Sequence, residues 1–399
     1  MPSSKRTIKS LNALFMGMSF LFVGNSLIVS STGVILKDSG MGELFIGLVS
    51  SCFFIGSLLA TIMGHKIISY VGHIRSFGIF AALFAIATLL HTIFENLYLW
   101  SALRLMLGFC YYGVLMVIES WLNEKAKNSV RSRVLSFCEV VYYIASGIGV
   151  LIIALNLSTN AVFVLGACFM MFSTIPLYLI RIKEPLLPKK AQISLPRVFD
   201  IAPFALITSF IAGMLVNGFF SMASVFILLQ GFDVKAVSYF IACAMVGGFL
   251  GQSFIGVISD RLGRKFAIML CSLVAFCAMA IFLVFKLSLF LQCALSIVLG
   301  SGIFCLYALA LARANDVIIN KNQTIEIGRA ILFCYSLGSL FAPLILGIIM
   351  QHFGFNGFNW FYLGVLGFLM LFGINKPNIL KKKKYQANPG NMAIFNECK

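Results

Sequence analysis

The sequence predicts an all-α membrane protein with twelve transmembrane helices, arranged as two pseudo-symmetric six-helix bundles. Three observations predict this class: the composition, the spacing of the apolar runs, and an internal repeat that relates the two halves. Of the 399 residues, 60% are hydrophobic and 11% are charged, whereas a soluble domain has about 45–50% apolar and about 25% charged residues. A water-soluble fold of this length could not bury so much apolar surface, so we expect lipid to surround the chain.

Twelve apolar runs are long enough to cross a membrane. A span needs roughly 20 apolar residues to cross a hydrocarbon core of about 30 Å, and unpaired backbone groups are costly there, so each span is helical. The first six predicted spans cover residues 11–36, 44–64, 76–90, 97–121, 134–155 and 161–180. The second six cover residues 201–229, 236–259, 266–285, 287–312, 330–350 and 355–373.

The basic residues predict the orientation of these spans. All but four of the 30 Lys and Arg residues fall on the side that carries both termini. Lys37, Lys235 and Lys286 fall on the other side, and Arg104 lies within a span. Because basic connectors stay on the cytoplasmic side, we expect a multi-pass inner-membrane protein whose two termini are cytoplasmic.

The domain organisation follows from the same pattern. We expect an N-terminal bundle over residues 1–180 and a C-terminal bundle over residues 199–375. Residues 181–198 contain three prolines and five basic residues and form the predicted cytoplasmic linker. Residues 376–399 form a basic cytoplasmic tail, which we expect to contact anionic lipid.

The two halves of the chain repeat one plan. A shift of about 191–196 residues brings corresponding features together in order, as in helical transporters with internal repeats. Such a repeat predicts two related bundles with a cavity between them, and rocking of one bundle against the other would expose the cavity to each side in turn. The matched pairs are Asn25 with Asn217, Gly56 with Gly247, Gly72 with Gly263, Gly108 with Gly300, and Arg133 with Arg329.

The connector between spans 8 and 9 carries the motif G-x-x-x-D-R-x-G-R-K. It resembles the corresponding loop of the major facilitator superfamily, and the repeat extends this resemblance over nearly the whole chain. A second similarity, in Glu119-Ser-Trp-Leu-Asn123, is to a bacterial permease branch of that superfamily. The resemblance implies that the loop latches a cytoplasmic gate, in which glycines permit a tight turn and close helix ends. The residues concerned are Gly256, Asp260, Arg261, Gly263, Arg264 and Lys265.

The first-half copy of this loop departs from the motif. Gly72 and Arg75 keep the turn and one basic residue, but Ser69 and Tyr70 replace the aspartate and the first arginine. We therefore expect a gating loop that is weaker or differently built in this half. In the alternative interpretation, the basic residues of both loops only set the orientation of the spans in the membrane.

Three charged residues are predicted inside the spans, and all lie in the first half. Charges within a membrane usually face protein or water and mark a functional pathway. Arg104 with Gly108 partly resembles the R-x-x-Q-G motif that the superfamily's proton-linked exchangers carry, although Leu107 replaces the glutamine. Arg104 could hold an anionic substrate, tune a carboxylate, or brace span 4. Glu139 could load and release protons, contact the substrate, or bond to a neighbouring helix.

Glu119 stands near the cytoplasmic end of span 4, shortly before two arginines. A gate or structural salt bridge is one interpretation, and contact with the substrate is the other. Asn25 and Asn217 are matched polar residues of spans 1 and 7, and Tyr307 lies in span 10. The resemblance implies that these spans border a central pathway, whereas the alternative for each residue is an interhelical hydrogen bond.

The remaining function classes fit less well. The four scattered histidines do not form the cluster that a polytopic enzyme needs. The sequence also contains no G-x-x-x-x-G-K-[ST] loop, the motif that would indicate transport driven by ATP. We expect no nucleic-acid partner, no metal and no cofactor. The sequence predicts a monomeric secondary transporter that moves a small solute across the bacterial inner membrane by alternating access, coupled to protons. The alternatives are an exporter of amphipathic drugs or metabolites with the same fold, and a non-transporting membrane sensor or scaffold.

Overall fold

Twelve apolar helical spans make up the protein. The structure, a computed structural model, describes residues 12–94, 96–125, 131–179, 199, 202–317 and 324–377. Spans 1 to 6 are Asn12–Asp38, Glu43–Val71, His73–Leu90, Leu97–Lys125, Arg131–Ile152, and Thr159–Phe172 followed by the short helix Ile175–Tyr178. Spans 7 to 12 are Pro203–Leu229, Val234–Leu262, Arg264–Val284, Leu289–Ile303 continued by Leu306–Val317, Thr324–Phe353, and Asn356–Ile374.

All twelve predicted spans are therefore confirmed, although several helices are longer than their apolar runs. Span 2 continues to Val71 and span 11 starts at Thr324, because a helix can extend past the hydrocarbon into polar surroundings. The predicted linker 181–198 and the tail beyond residue 377 lie outside the described residues. The boundaries of the two bundles along the chain stay a prediction.

The spans pack in the same pairs in both halves. Span 1 contacts spans 5 and 6, span 2 contacts span 4, and span 3 contacts spans 4 and 6. In the second half span 7 contacts spans 11 and 12, span 8 contacts span 10, and span 9 contacts spans 10 and 12. This correspondence confirms the two pseudo-symmetric bundles.

Matched glycines set the closest of these helix contacts. A Cβ atom on Gly56 would overlap the carbonyl oxygen of Leu105, and one on Gly108 would overlap that of Phe53, so spans 2 and 4 meet backbone to backbone. In the second half a Cβ atom on Gly247 or Gly300 would overlap a carbonyl oxygen of the partner helix in the same way, between spans 8 and 10. Small residues permit this approach in membranes, where packing drives helix association.

The halves contact each other through spans 2 and 11, 5 and 8, and 1 and 7. We call the face at which span 1 begins and span 12 ends the terminal face, and the opposite one the far face. Near the far face, a Cβ atom on Gly47 would overlap the carbonyl of Pro343, and the Ser238 hydroxyl donates to the Val150 carbonyl at 2.9 Å. The halves are therefore closely packed near the far face.

Candidate functional site

A cavity of about 290 Å³ lies between the two halves. It is partly open, and spans 1, 2, 4 and 5 of the first half and spans 7, 8, 10 and 11 of the second half line it. Its lining reaches from the middle of the spans into their terminal halves, whereas the far halves are packed together. A concave space with a few polar groups in mostly apolar walls is the usual form of a small-molecule site.

Two carboxylates project into this cavity, and both were predicted as pathway residues. Glu119 lies six residues before the terminal end of span 4, which is about 9 Å along the helix. Glu139 lies eight residues into span 5, or about 12 Å from the same face. Both side chains are exposed to the cavity. Adjacent helices of the first half thus place two carboxyl groups at similar depth.

The two carboxylates differ in their surroundings. Gln252 of span 8 in the second half lines the cavity with Glu139 of span 5 and interacts electrostatically with it. Glu119 makes no hydrogen bond or ion pair with any residue that the structure describes. Tyr112 and Tyr307 interact with it electrostatically. The side chains of the arginines considered as its salt-bridge partners, Arg131 and Arg133, lie outside the described residues, so that interpretation stays a prediction.

Tyrosines form much of the cavity wall, which the sequence reasoning missed apart from Tyr307. The Tyr307 and Tyr335 rings have centroids 4.7 Å apart, and those of Tyr111 and Tyr112 are 5.6 Å apart. The two Tyr-Tyr pairs in spans 4 and 5 were a signal that could have found this wall. The six lining tyrosines are Tyr111, Tyr112, Tyr142, Tyr143, Tyr307 and Tyr335.

The predicted polar pair of spans 1 and 7 also lines the cavity. The Asn217 Nδ2 atom donates to the Ser339 hydroxyl of span 11 at 2.7 Å. The matched Asn25 Oδ1 atom is buried and has no hydrogen-bond partner in the described part of the chain. The two asparagines therefore share a depth but differ in bonding.

Arg104 lies apart from the cavity. Its side chain is 2% exposed, and its Nη2 atom donates to the Thr32 hydroxyl of span 1. It is seven residues from the far end of span 4, or about 10 Å. In this conformation its contacts are those of a brace between spans 1 and 4, which was one of the alternatives.

The second-half loop forms an ion-pair network. Arg264 contacts the Asp260 carboxylate at 2.6 Å and the Asp316 carboxylate at 3.1 Å, and its Nη1 atom donates to the Ser259 hydroxyl at 2.6 Å. Lys265 donates to the Ile374 carbonyl at the end of span 12 at 2.8 Å. These contacts connect spans 8, 9, 10 and 12 within one half.

The two gating loops share a backbone but not their charges. Gly72 has φ 93° and Gly263 has φ 95°, values that favour glycine in a tight turn between helices. Arg75 is exposed and has no ion pair among the described residues, and Arg261 is exposed as well. Gly256 was expected to permit close helix ends. No atom lies within 4 Å of its Cβ position in this conformation, and its role in the gating loop stays a prediction.

A second basic residue, besides Arg104, is buried within a span. Arg313 was assigned to the connector after span 10, but it lies in the helix Leu306–Val317 and is 4% exposed. Its Nη2 atom donates to the Pro377 carbonyl at 2.6 Å, and its guanidinium lies 6.0 Å from the centre of the Phe204 ring. A backbone carbonyl and an aromatic ring thus hold this charge at the terminal end of the span, so the connector assignment was wrong.

Comparisons with known proteins agree with this architecture. The family model described as Major Facilitator Superfamily matches residues 14–323 and 236–396. An uncharacterized MFS-type transporter, YcaD, of Escherichia fergusonii is 24% identical over 322 residues, covering 78% of this chain and 81% of its own. YcaD of Escherichia coli O6:K15:H31 is 23% identical over 350 residues, covering 86% of this chain and 89% of its own.

Two solved structures share the fold at low sequence identity. A point mutant of the nucleoside transporter NupG superposes with a TM-score of 0.77 at 13% identity over 92% of this chain and 98% of its own. A bacterial homolog of the human lysosomal transporter Spinster, inward-facing and unoccupied, gives 0.73 at 12% identity over 93% and 96%. With a family match that covers most of the residues and a twelve-span fold of two related halves, the chain belongs to the major facilitator superfamily of membrane transporters.

Proposed function

We propose that this multi-pass inner-membrane protein is a secondary active transporter, which moves a small solute by alternating access and is coupled to protons. The observation that carries the proposal is a cavity between the two halves that two carboxyl groups line. A carboxyl group in such a position can exchange a proton with water and changes its charge when it does so. Both termini are cytoplasmic by the charge rule, so this conformation is inward-facing.

Glu139 is the proton site of this proposal. The Gln252 amide interacts with its carboxylate, and a hydrogen bond to a charged acceptor is roughly twice as strong as one between neutral groups. Protonation therefore weakens the connection between span 5 and span 8. Because these spans belong to different halves, the proton load on Glu139 biases the relative position of the halves.

The far-face contacts are suited to reversible opening. They consist of glycine and serine packing against backbone, as at Gly47 with Pro343 and at Gly33 with Ser224. The described residues provide no ion pair across this interface, so opening it does not require separating charges. One chain encloses the whole cavity, and a monomer therefore suffices for transport.

Distance measurements between spin labels test this mechanism. Labels at Tyr70 and Leu262 report the terminal face, and labels at Ser39 and Lys235 report the far face, with one label of each pair in each half. Lowering the pH should change the two mean distances in opposite directions, because rigid halves that rock about a central cavity cannot open both faces. Glu139→Gln should abolish the response to pH.

The control variant is Glu43→Gln, which removes a far-face carboxylate that is paired with Lys37 at 2.6 Å and should leave the response intact. Distances that ignore pH, or a Glu139→Gln protein that responds like wild type, would overturn the proposed coupling. A sensor that kept the fold could also respond to pH. Saturable counterflow of a solute in proteoliposomes separates a carrier from such a sensor, since a sensor moves nothing.

A further inference from the structure

The described lining of the cavity carries charge of one sign. Glu119 and Glu139 line it, and no Lys, Arg or His is found among its lining residues in the described part of the chain. Arg104, the basic residue that could have served an anion, is buried outside the cavity against Thr32. Unpaired carboxylates in low-dielectric surroundings attract a positive charge far more strongly than they would in water.

Glu119 in particular lacks a counter-charge among the residues that the structure describes. Its side chain is exposed to the cavity and has no ion-pair or hydrogen-bond partner among the described residues. Tyr112 from its own span and Tyr307 from the opposite half line the same cavity and interact electrostatically with Glu119. A carboxylate in one cavity with aromatic side chains from both halves is an arrangement that suits a bound cation.

The walls favour an organic cation over an inorganic one. Tyrosine faces attract a weakly hydrated, delocalised charge, at about 0.5–2 kcal/mol per ring. A metal ion would need several oxygen, nitrogen or sulfur ligands, and the described residues contain no group of three or more His, Cys, Asp or Glu that could supply them. A volume of about 290 Å³ also far exceeds that of a bare ion.

We propose that the cavity binds an organic cation of quaternary-ammonium character with an aromatic or branched apolar body, held by Glu119 between Tyr112 and Tyr307. This inference rests on the proposed transport function and names its substrate class. Glu139, which lines the cavity with Gln252, remains the proton site. Protons and the cation then compete for one negatively charged cavity, so that entry of one favours release of the other.

Equilibrium binding of tritiated benzyltrimethylammonium to the purified full-length protein tests the proposal. The neutral carbon isostere neopentylbenzene and the anion phenylmethanesulfonate have similar shapes and serve as competitors. We expect saturable binding that neither competitor displaces efficiently. Because a quaternary ammonium keeps its charge at every pH, weaker binding at lower pH would report protonation of the cavity carboxylates.

Variants locate the site. Glu119→Gln should weaken binding about tenfold or more, because it removes the charge but keeps the shape. Tyr307→Leu should weaken it about three- to fivefold, whereas Tyr307→Phe keeps an aromatic face and should stay within about twofold of wild type. Glu43→Gln, at the far face, is the matched control and should bind like wild type.

Three results would overturn the inference: no saturable binding by the wild-type protein, preferential binding of the anion, or wild-type affinity in Glu119→Gln. Equal affinities of the Tyr307→Leu and Tyr307→Phe proteins would overturn the aromatic contribution. The binding assay needs no membrane and no gradient, so its failure is distinct from failure of the transport proposal. If the cation binds but pH moves neither spin-label pair, the proposed coupling fails while the substrate class stands.

Discussion

The two six-helix halves of this protein share a backbone plan but differ in chemistry. The spans pack in matching pairs, and their turns at Gly72 and Gly263 have nearly the same φ. Both cavity carboxylates lie in the first half, whereas the ion-pair network around Arg264 lies in the second. The repeat thus fixes where helices approach each other, and the side chains divide the chemical tasks.

This division has a physical basis. A close backbone contact tolerates no side chain, so both copies require a small residue at the same place. A charge in a membrane is costly and is useful only where a ligand, a proton or a counter-charge meets it. One set of carboxylates at one depth is sufficient for a single central cavity. The second half can therefore contribute aromatic and amide groups, such as Tyr307 and Gln252, without charges of its own.

The largest expected effect tests the shared backbone plan. Gly108→Val and Gly300→Val should each destabilise the protein by about 3 kcal/mol, because the added atoms overlap a carbonyl of the partner helix. Thermal unfolding in detergent measures both losses, and they should be similar in the two halves. Gly256→Ala is the control, since its Cβ position is open and alanine is the better helix former. A stable Gly108→Val protein would contradict the close approach.

A smaller effect should separate the two gating loops. Arg264→Gln should lower stability by about 1.5–2 kcal/mol, because it removes charged hydrogen bonds of a side chain that is only 12% exposed. Arg75→Gln in the first half should change stability by less than about 0.5 kcal/mol, since that side chain is exposed. Denaturation midpoints measure both values. Equal losses would show that the two loops contribute equally to stability.

The fold was predictable because it depends on strong, redundant signals. Twelve apolar runs, basic connectors on one side and matched glycines all lead to the same architecture, and each tolerates errors of a few residues at helix ends. The contact between Gly108 and span 2 could be anticipated from its match with Gly300. In lipid, hydropathy and small residues largely decide which helices form and how closely they meet.

The site was predictable only in part. Hydropathy shows that Glu119, Glu139 and Arg104 lie within spans but not which way each helix faces. The structure turns the two glutamates into the cavity and Arg104 toward Thr32. Gln252 and Glu139 meet in the cavity from different halves, so no local pattern could reveal their interaction. Helix rotation and inter-half contact are tertiary properties, which explains this limit.

The smallest expected effect compares the matched asparagines. Asn217 donates to Ser339, so Asn217→Ala should lower stability by about 0.6–1 kcal/mol. Asn25→Ala should change stability by less than about 0.5 kcal/mol, because the buried Oδ1 atom has no partner among the described residues. Thermal unfolding of both variants measures the difference. A larger loss for Asn25→Ala would place a structural bond in the first half and remove Asn25 from the groups that are free to meet a substrate.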